Sequence, residues 1–266
     1  MGKKGKPNST EIDEKKGTQA IDRALNILSC FNFSRPAWEA TELSDRLGLT
    51  LPTTKRILKA LESKGMLVQR RMTGLYELGL KVFELGAVTL SRISLANQSK
   101  DLLIKLSEET HQTVHLTAVD SDEILYIKKI ESSDIYAITS PDGLRRPLAT
   151  GSLGKAILST FSQAMLKAYL SKHQLVAYTT KSITDQKIYM GELAKVRVKG
   201  FAIDQEELIQ GVCGVAAPIS AGMSPAIGGV AIAFPVLRFD EVRVLEWGEL
   251  VRQVGLTISH RLSQTE

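Results

Sequence analysis

Apolar positions in the first eighty residues follow a helical period three times and then switch to alternation. Ile21, Leu25, Leu28 and Phe31 recur three or four apart, which predicts an amphipathic helix ending near Asn32. "SRPAWEA" breaks the period and reads as a loop. Leu43 and Leu47 form the apolar face of a short second helix. Thr41 stands where an N-cap would, and Gly48 is placed to end the helix. After the turn "LGLT", Pro52 suits the first turn of a third helix, where its missing N–H costs nothing. Ile57, Leu58 and Leu61 supply that helix's stripe, and Gly65 stops it. "MLVQRRMTGLYELG" then alternates as two strands around Thr73-Gly74.

Beyond residue 80 the period returns. Leu80, Phe83, Ala87 and Leu90 predict a linker helix, and Leu102, Leu103 and Leu106 the first helix of a second domain. "TVHLTAVDSDEILYIKKIE" reads as a hairpin turning at "SDEI". "IYAITSPDGLRRPLATGSLGKAIL" reads as a strand, a Pro-Asp-Gly turn and a small-residue loop entering a helix. "LAKVRVKGFAIDQEELIQGVCGVAAPIS" reads as a helix end followed by two strands around an acidic segment. "AIGGVAIAFPVLRFD" is a nearly continuous apolar strand, and a helix over about 240–262 closes the chain. Antiparallel hairpins with helices between them indicate an α+β domain, one curved sheet with a ligand cleft. The expected division is a disordered basic tail at 1–16, a helical DNA-binding module at 17–79, a linker helix at 80–97 and an effector domain at 98–266.

Helix, helix, tight turn, helix and hairpin is the order of a winged helix-turn-helix, whose third helix presents its N-terminal polar residues to base edges. Thr50, Pro52, Thr53, Thr54, Lys55, Arg56 and Lys59 occupy that helix start, with Thr41 on the helix before it. Arg56 has the geometry to read a guanine edge or clamp a phosphate. Arg70 and Arg71, at the wing tip, are placed for flanking phosphates or the minor groove. Charge sharpens this picture. Residues 1–80 carry 14 Lys+Arg against 9 Asp+Glu, whereas 81–266 carry 20 of each, so the whole excess of +5 lies in the first part. A basic module joined to a neutral one points to a polyanion for the first alone; the alternative is a lysine-rich tail that only aids solubility, since five of the fourteen are Lys3, Lys4, Lys6, Lys15 and Lys16.

Composition excludes more than it selects. With 43% hydrophobic and 24% charged residues the chain can bury a core, and no apolar run is long enough for a membrane helix. The polar, basic start has no apolar signal region. Cys30 and Cys213 form no disulfide framework, which fits a reducing cytoplasm. Cys213 as a nucleophile would need a base, but His111, His115, His173 and His260 stand in no recognisable motif. "HQTVH" runs into a strand, where its spacing chelates a metal poorly, so ordinary surface or hydrogen-bonded histidines are expected, with no cofactor and no metal. In "ATGSLGKAIL", Gly151 and Ser152 precede a helix and leave backbone N–H groups open to an anion. The same small residues also suit close helix packing. The spacing is not that of a nucleotide-binding loop.

From about Gly17 to Leu262 the chain resembles an IclR-type transcriptional regulator. The matching segments are "QAIDRALNILSCF", "TELSDRLGLTLPTTKRILKALESKG", "LYELGLKVFELG", "TVHLTAVD", "LATGSLGKA" and, most specifically, "KGFAIDQEELIQGVCGVAAPI". The resemblance implies a DNA-binding domain and a GAF/PAS-like effector domain. It implies dimers or dimers of dimers on pseudo-palindromic promoter DNA, responding to small organic acids. It also implies that the amides of Gly151 and Ser152 hold a carboxylate and that Asp204 is the pocket acid. A further pocket position, usually cysteine in the family, is Gly214 here, with Cys213 displaced by one, and two usual serines are Ala231 and Ala233. A thiol and two hydroxyls are thereby lost, at roughly 1–3 kcal/mol for each unpaired polar group of a ligand. An acid with an apolar or aromatic body is therefore expected, walled by Ile138 and Leu144. The rivals are a protein-binding winged helix and an enzyme using the same cleft.

Overall fold

The computed structural model describes residues 9–92, 94–132, 137–138, 140–222 and 225–264, and its contacts divide the chain into two units, Met1–Thr89 and Leu90–Glu266.

The first unit comprises α1 (Ser9–Ser29), β1 (Ala37–Trp38), α2 (Ala40–Leu47), α3 (Leu51–Ser63), β2 (Leu67–Gln69), β3 (Tyr76–Leu78) and the start of α4 (Leu80–Arg92). Ile27, Phe31, Trp38, Leu43, Leu58, Leu67 and Tyr76 form its core. Four details differ from the sequence expectation. Helix α1 starts at Ser9, inside the stretch expected to be disordered, and ends at Ser29. Of its apolar stripe, Ile21 and Leu25 are exposed. The supposed loop contains β1, which pairs Trp38 with Tyr76 and sets the Trp38 indole to donate to the Cys30 carbonyl at 3.1 Å. Thr41 is not the N-cap of α2. Glu39 is, because Glu42 three residues on accepts from the Glu39 N–H at 3.0 Å and completes a reciprocal capping box.

The second unit comprises the end of α4, then α5 (Ser94–Thr110), the hairpin β4 (Thr113–Asp120) and β5 (Glu123–Ile130), and β6 (Arg145–Pro147). Next come α6 (Gly151–Leu158), α7 (Gln163–Lys172), α8 (Gln186–Lys199) and β7 (Ala202–Gln205). The chain finishes with β8 (Val212–Ile219), β9 (Gly228–Pro235), a 3-10 turn and α9 (Glu241–Ser263). Six strands form one antiparallel sheet in the order β6-β5-β4-β9-β8-β7. Its central pair, β4 and β9, joins the two hairpin systems. Ala137, Ile138 and Ser140 belong to no strand, and Ile135, Tyr136 and Thr139 of the expected strand lie outside the described residues.

Alternation divides the sheet's side chains. Val114, Leu116, Cys213, Val215, Val230, Ile232 and Phe234 join one core with Trp247, Val251 and Ile258 of α9 and Leu103 and Leu106 of α5. The alternate residues Ala202, Ala216 and Ala231 join a second core with Leu153, Ala156 and Ile157 of α6 and Leu193 of α8. Both faces are thus covered, and the open end of the second layer holds the cavity described next.

Candidate functional site

The first unit offers a polar surface along α3. Gly48 ends α2 in the left-handed region, at φ 62°, and the chain re-enters helix at Leu51. Thr50 caps α3 through backbone geometry alone, and its hydroxyl donates to the Thr53 hydroxyl at 2.9 Å. Pro52, Lys55, Arg56 and Lys59 are exposed, and Thr53 is half-buried. None of those three cations is in an ion pair among the described residues. Thr54 departs from the expectation. It is fully buried and its hydroxyl donates to the Thr50 carbonyl at 3.2 Å, so it closes the first turn of α3 from the inner side rather than facing outward. In the hairpin, Gly74 takes φ 73° and its N–H donates to the Arg70 carbonyl at 2.8 Å. Arg71 is exposed at the tip, whereas Arg70 is held by Glu77, Nε to Oε2 at 2.8 Å. Thr41 is exposed, with its hydroxyl on the Glu39 carboxylate at 3.1 Å.

The second unit contains a cavity of about 60 Å³ where α6 begins. Eight of the nine residues named from sequence surround it: Ile138, Gly151, Ser152, Asp204, Cys213, Gly214, Ala231 and Ala233. Leu144 does not. It packs against the core under α6, and its carbonyl accepts from the Tyr126 N–H at the sheet edge, at 2.9 Å. Cys213 borders the cavity, yet its side chain belongs to the core on the opposite face, since Gly214 takes the cavity-facing register opposite Asp204 and Ala233. Burial pushes the Cys213 thiol up to about 11, the wrong direction for a nucleophile.

The start of α6 is prepared for an anion. Gly154 N–H is the amide that closes the first helical turn, on the Thr150 carbonyl at 3.0 Å; those of Gly151, Ser152 and Leu153 come before it. Thr150 is the N-cap, but its hydroxyl is turned back to the Pro147 carbonyl at 2.7 Å and does not cover them. Gly151 stands at φ 61°, and a Cβ there would meet Asp204 Oδ2 at 2.9 Å, so backbone and space both require glycine. A Cβ at Gly214 would meet Ser152 Oγ at 3.0 Å. Asp204 is buried, with Oδ1 accepting from the Glu207 N–H at 2.7 Å. Burial lifts its carboxyl to about 6, and the neighbouring Glu207 charge adds to this, against the Glu207 amide and Lys155. A carboxyl that readily holds a proton can sit beside a bound carboxylate. Behind it, buried Lys155 pairs with Glu207 and fixes the loop.

Sequence reasoning missed other residues that line this cavity: His115, Tyr126 and Arg146, and Leu208 and Ile209, with Leu208 beside Gly151. His115 is neither exposed nor hydrogen-bonded, contrary to the expectation. It is buried, with both ring nitrogens unpartnered among the described residues. Burial, and then Lys129, push it down to about 4, so the ring is neutral. Its ring meets that of Tyr126 edge to face, centroids 5.3 Å apart. Among the described residues there is no His/Cys/Asp/Glu cluster fit to hold a metal, and no helix long and apolar enough to cross a membrane.

Two families of known proteins match the chain. Residues 20–71 match the IclR helix-turn-helix domain, and residues 87–260 match the bacterial transcriptional regulator IclR C-terminal domain. The chain is 32% identical over 244 residues to the HTH-type transcriptional regulator XynR of Escherichia coli, covering 92% of this chain and 97% of that one. It is 32% identical over 246 residues to KdgR of the same organism, covering 91% and 94%. Among solved structures, a transcriptional regulator of Rhodococcus sp. RHA1 aligns with a TM-score of 0.83 at 25% identity, covering 93% of this chain and 99% of that one. These relatives are named as regulators, not as enzymes.

Proposed function

The chain belongs to the IclR family of transcriptional regulators, with a helix-turn-helix domain for DNA and an effector domain, and on that premise we propose how the two are used. The protein binds pseudo-palindromic promoter DNA in the cytoplasm as a dimer or a dimer of dimers. A small organic acid in the cavity at α6 controls that binding. The observation that carries the reading is the α6 start, where amides left uncovered by Thr150 meet a buried, easily protonated Asp204. A carboxylate satisfies those amides and gains from the helix dipole. Ile138, Leu208 and Ile209 suit an apolar or aromatic body.

On α3, exposed Lys55, Arg56 and Lys59 with Thr50 and Thr53 meet the DNA, and Arg71 on the wing reaches a flanking phosphate. Exposed Leu80 and Phe83 on α4 support self-association. The acid acts by population shift. It favours one arrangement of the effector domains, and so one spacing of the recognition helices, by its differential affinity for the two. No cofactor, metal or membrane is required.

Fluorescence anisotropy with DNA from upstream of the protein's own gene, at several salt concentrations, tests the DNA half. Arg56→Ala is expected to cost about 1–3 kcal/mol of binding, and Arg71→Ala to lower the salt slope by about one. Equal affinity for random DNA at every salt would instead favour a winged helix that binds protein.

A further inference from the structure

The cavity is smaller than the body of a ligand it is to enclose. At about 60 Å³ it is well under the roughly 150 Å³ that takes up a benzene ring, so a wall has to move before a body of that size fits. What lies behind each wall shows which one. Strands β8 and β9 are backed by the core they share with α5 and α9, and α6 by the core it shares with α8. Loop 206–211, between β7 and β8, lines the cavity with Leu208 and Ile209, which belong to neither core. The same two residues also line a groove of about 560 Å³, together with Tyr178, Thr179, Thr180 and Lys181. Two apolar side chains therefore separate the cavity from the groove. Leu208 lies over the start of α6, where a Cβ at Gly151 would meet its Cδ2 at 3.4 Å.

The loop is tied where it can pivot. Both its ends stand in the left-handed region, Glu206 at φ 63° and Gly211 at φ 81°. Glycine takes that conformation freely, but a residue with a Cβ persists there only where its surroundings hold it. The hold on Glu206 comes from a strap, residues 178–182. The Thr179 hydroxyl donates to the Glu206 carbonyl at 2.7 Å, the Ser182 hydroxyl donates to the Glu207 carbonyl at 2.6 Å, and Lys181 pairs with the Glu206 carboxylate. That carboxylate also accepts from the Gly211 N–H at 2.8 Å, which clasps the two ends together. From the cavity side Asp204 accepts from the Glu207 N–H at 2.7 Å, and Lys155 pairs with Glu207. Ile209 and Gln210, beyond these ties, are exposed.

We propose that loop 206–211 is the gate of the cavity. It turns on Glu206 and Gly211, moves Leu208 and Ile209 out into the groove, and is latched shut by Thr179, Lys181 and Ser182 of the strap. The inference goes beyond the organic-acid reading: the latch sets how fast any ligand of this cavity enters and leaves, not which ligand is chosen. An ion pair with an exposed lysine contributes little, so the two hydroxyls supply most of the hold.

Thiol labelling of the full chain, with no ligand present, tests this. Ala231→Cys places a thiol on a buried wall of the cavity, and its reaction with dithiodipyridine is read against the parent chain, whose Cys30 and Cys213 are both buried. Labelling is expected to be slow, to be independent of urea well below the unfolding midpoint, and to speed up about tenfold when Thr179→Val and Ser182→Ala are combined. Ser171→Ala, which removes an exposed hydroxyl bond to the Ala168 carbonyl on α7, should leave the rate unchanged. An unchanged rate in the double variant overturns the inference, as does an equal gain from Ser171→Ala. A rate that follows urea from the start also overturns it, because the cavity then opens only by global unfolding. So does a rate equal to that of a free thiol, because nothing then closes the site. Should Ala231→Cys fail to fold, hydrogen exchange of the amides of 208–211 decides. The double variant is expected to exchange them about tenfold faster than the wild type while β8 and β9 stay equally protected, and equal exchange overturns the inference. No acid enters either experiment, so the organic-acid reading stands or falls separately.

Discussion

The two faces of the six-stranded sheet are made by alternate residues of the same strands, and they are filled in opposite ways. Toward α5 and α9 stand Val114, Leu116, Val215, Val230, Ile232 and Phe234, all fully buried, with Phe234 edge to face on Trp247 at 4.9 Å. Toward α6 stand Thr113, His115, Thr117 and Asp204, buried and polar, among the small residues Gly214, Ala231 and Ala233. Each large apolar side chain on the first face contributes about 1.5–3 kcal/mol by leaving water. The second face gives up much of that and keeps a cavity instead. Where one side of a sheet is packed to completion and the other is left small and polar, the difference marks the side that waits for a ligand.

The contrast can be broken first on the packed face. Phe234→Ala is expected to lose roughly 3–5 kcal/mol of stability, read as a lower urea midpoint, because the sheet and α9 cannot close over the void. A loss under 1 kcal/mol would mean that this face is not the packed one.

Acidity comes next and separates two groups on the cavity face. His115 lies near Lys129 and Tyr126, and its folded value of about 4 is below its ordinary 6.5. Its contribution is therefore present above pH 6.5 and lost as pH falls through about 4, by roughly 3 kcal/mol. Asp204, facing Glu207 and Lys155, is raised from 3.8 to about 6, so its contribution is present below pH 3.8 and lost as pH rises through about 6, by a similar amount. Between pH 4 and 6 the two largely cancel in the wild type. Relative to wild type, His115→Phe should grow less stable as pH rises through this window, and Asp204→Asn less stable as pH falls. Urea midpoints measured from pH 4 to 7 check both signs, and parallel curves for the two variants would refute the assignment.

The smallest effect sharpens the contrast. Enlarging a residue in a packed core costs about 1–3 kcal/mol. Ala233→Leu adds three carbons toward the cavity and should change stability by less than about 1 kcal/mol, because the space is already there.

Much of this fold was legible because its periods are strong. The second and third helices, the wing and the β4–β5 hairpin lie where the apolar spacing put them. The failures have physical causes. Thr41 is a better capping residue in isolation than Glu39, but the reciprocal bonds of Glu39 and Glu42 outweigh single-residue preference. Thr54 sits among polar neighbours, yet its place on the helix turns it inward. At the cavity, Gly151 and Ser152 were legible in their loop as either an anion site or a close packing contact, whereas Asp204, Gly214, Ala231 and Ala233 came from the family resemblance, since small residues alone do not distinguish packing from a site. His115 was misread for a different reason. Alternation in "TVHLTAV" assigns Val114 and Leu116 to the core and the residues between them to solvent. Here both faces are covered, so those residues are buried as well. The available clue was their type: Thr113, His115 and Thr117 are not the lysines and glutamates of a solvated face.

The measurement that bears most directly on the account joins the cavity to the DNA. Fluorescence anisotropy of the wild type on its own upstream DNA would be followed while 4-hydroxybenzoate and 4-hydroxybutyrate are added, with Ala233→Leu in parallel. The account predicts equal DNA affinity for the two proteins without acid, and an acid-induced change in the wild type that the variant lacks. An equal change in both proteins, or none in the wild type with either acid, would contradict it.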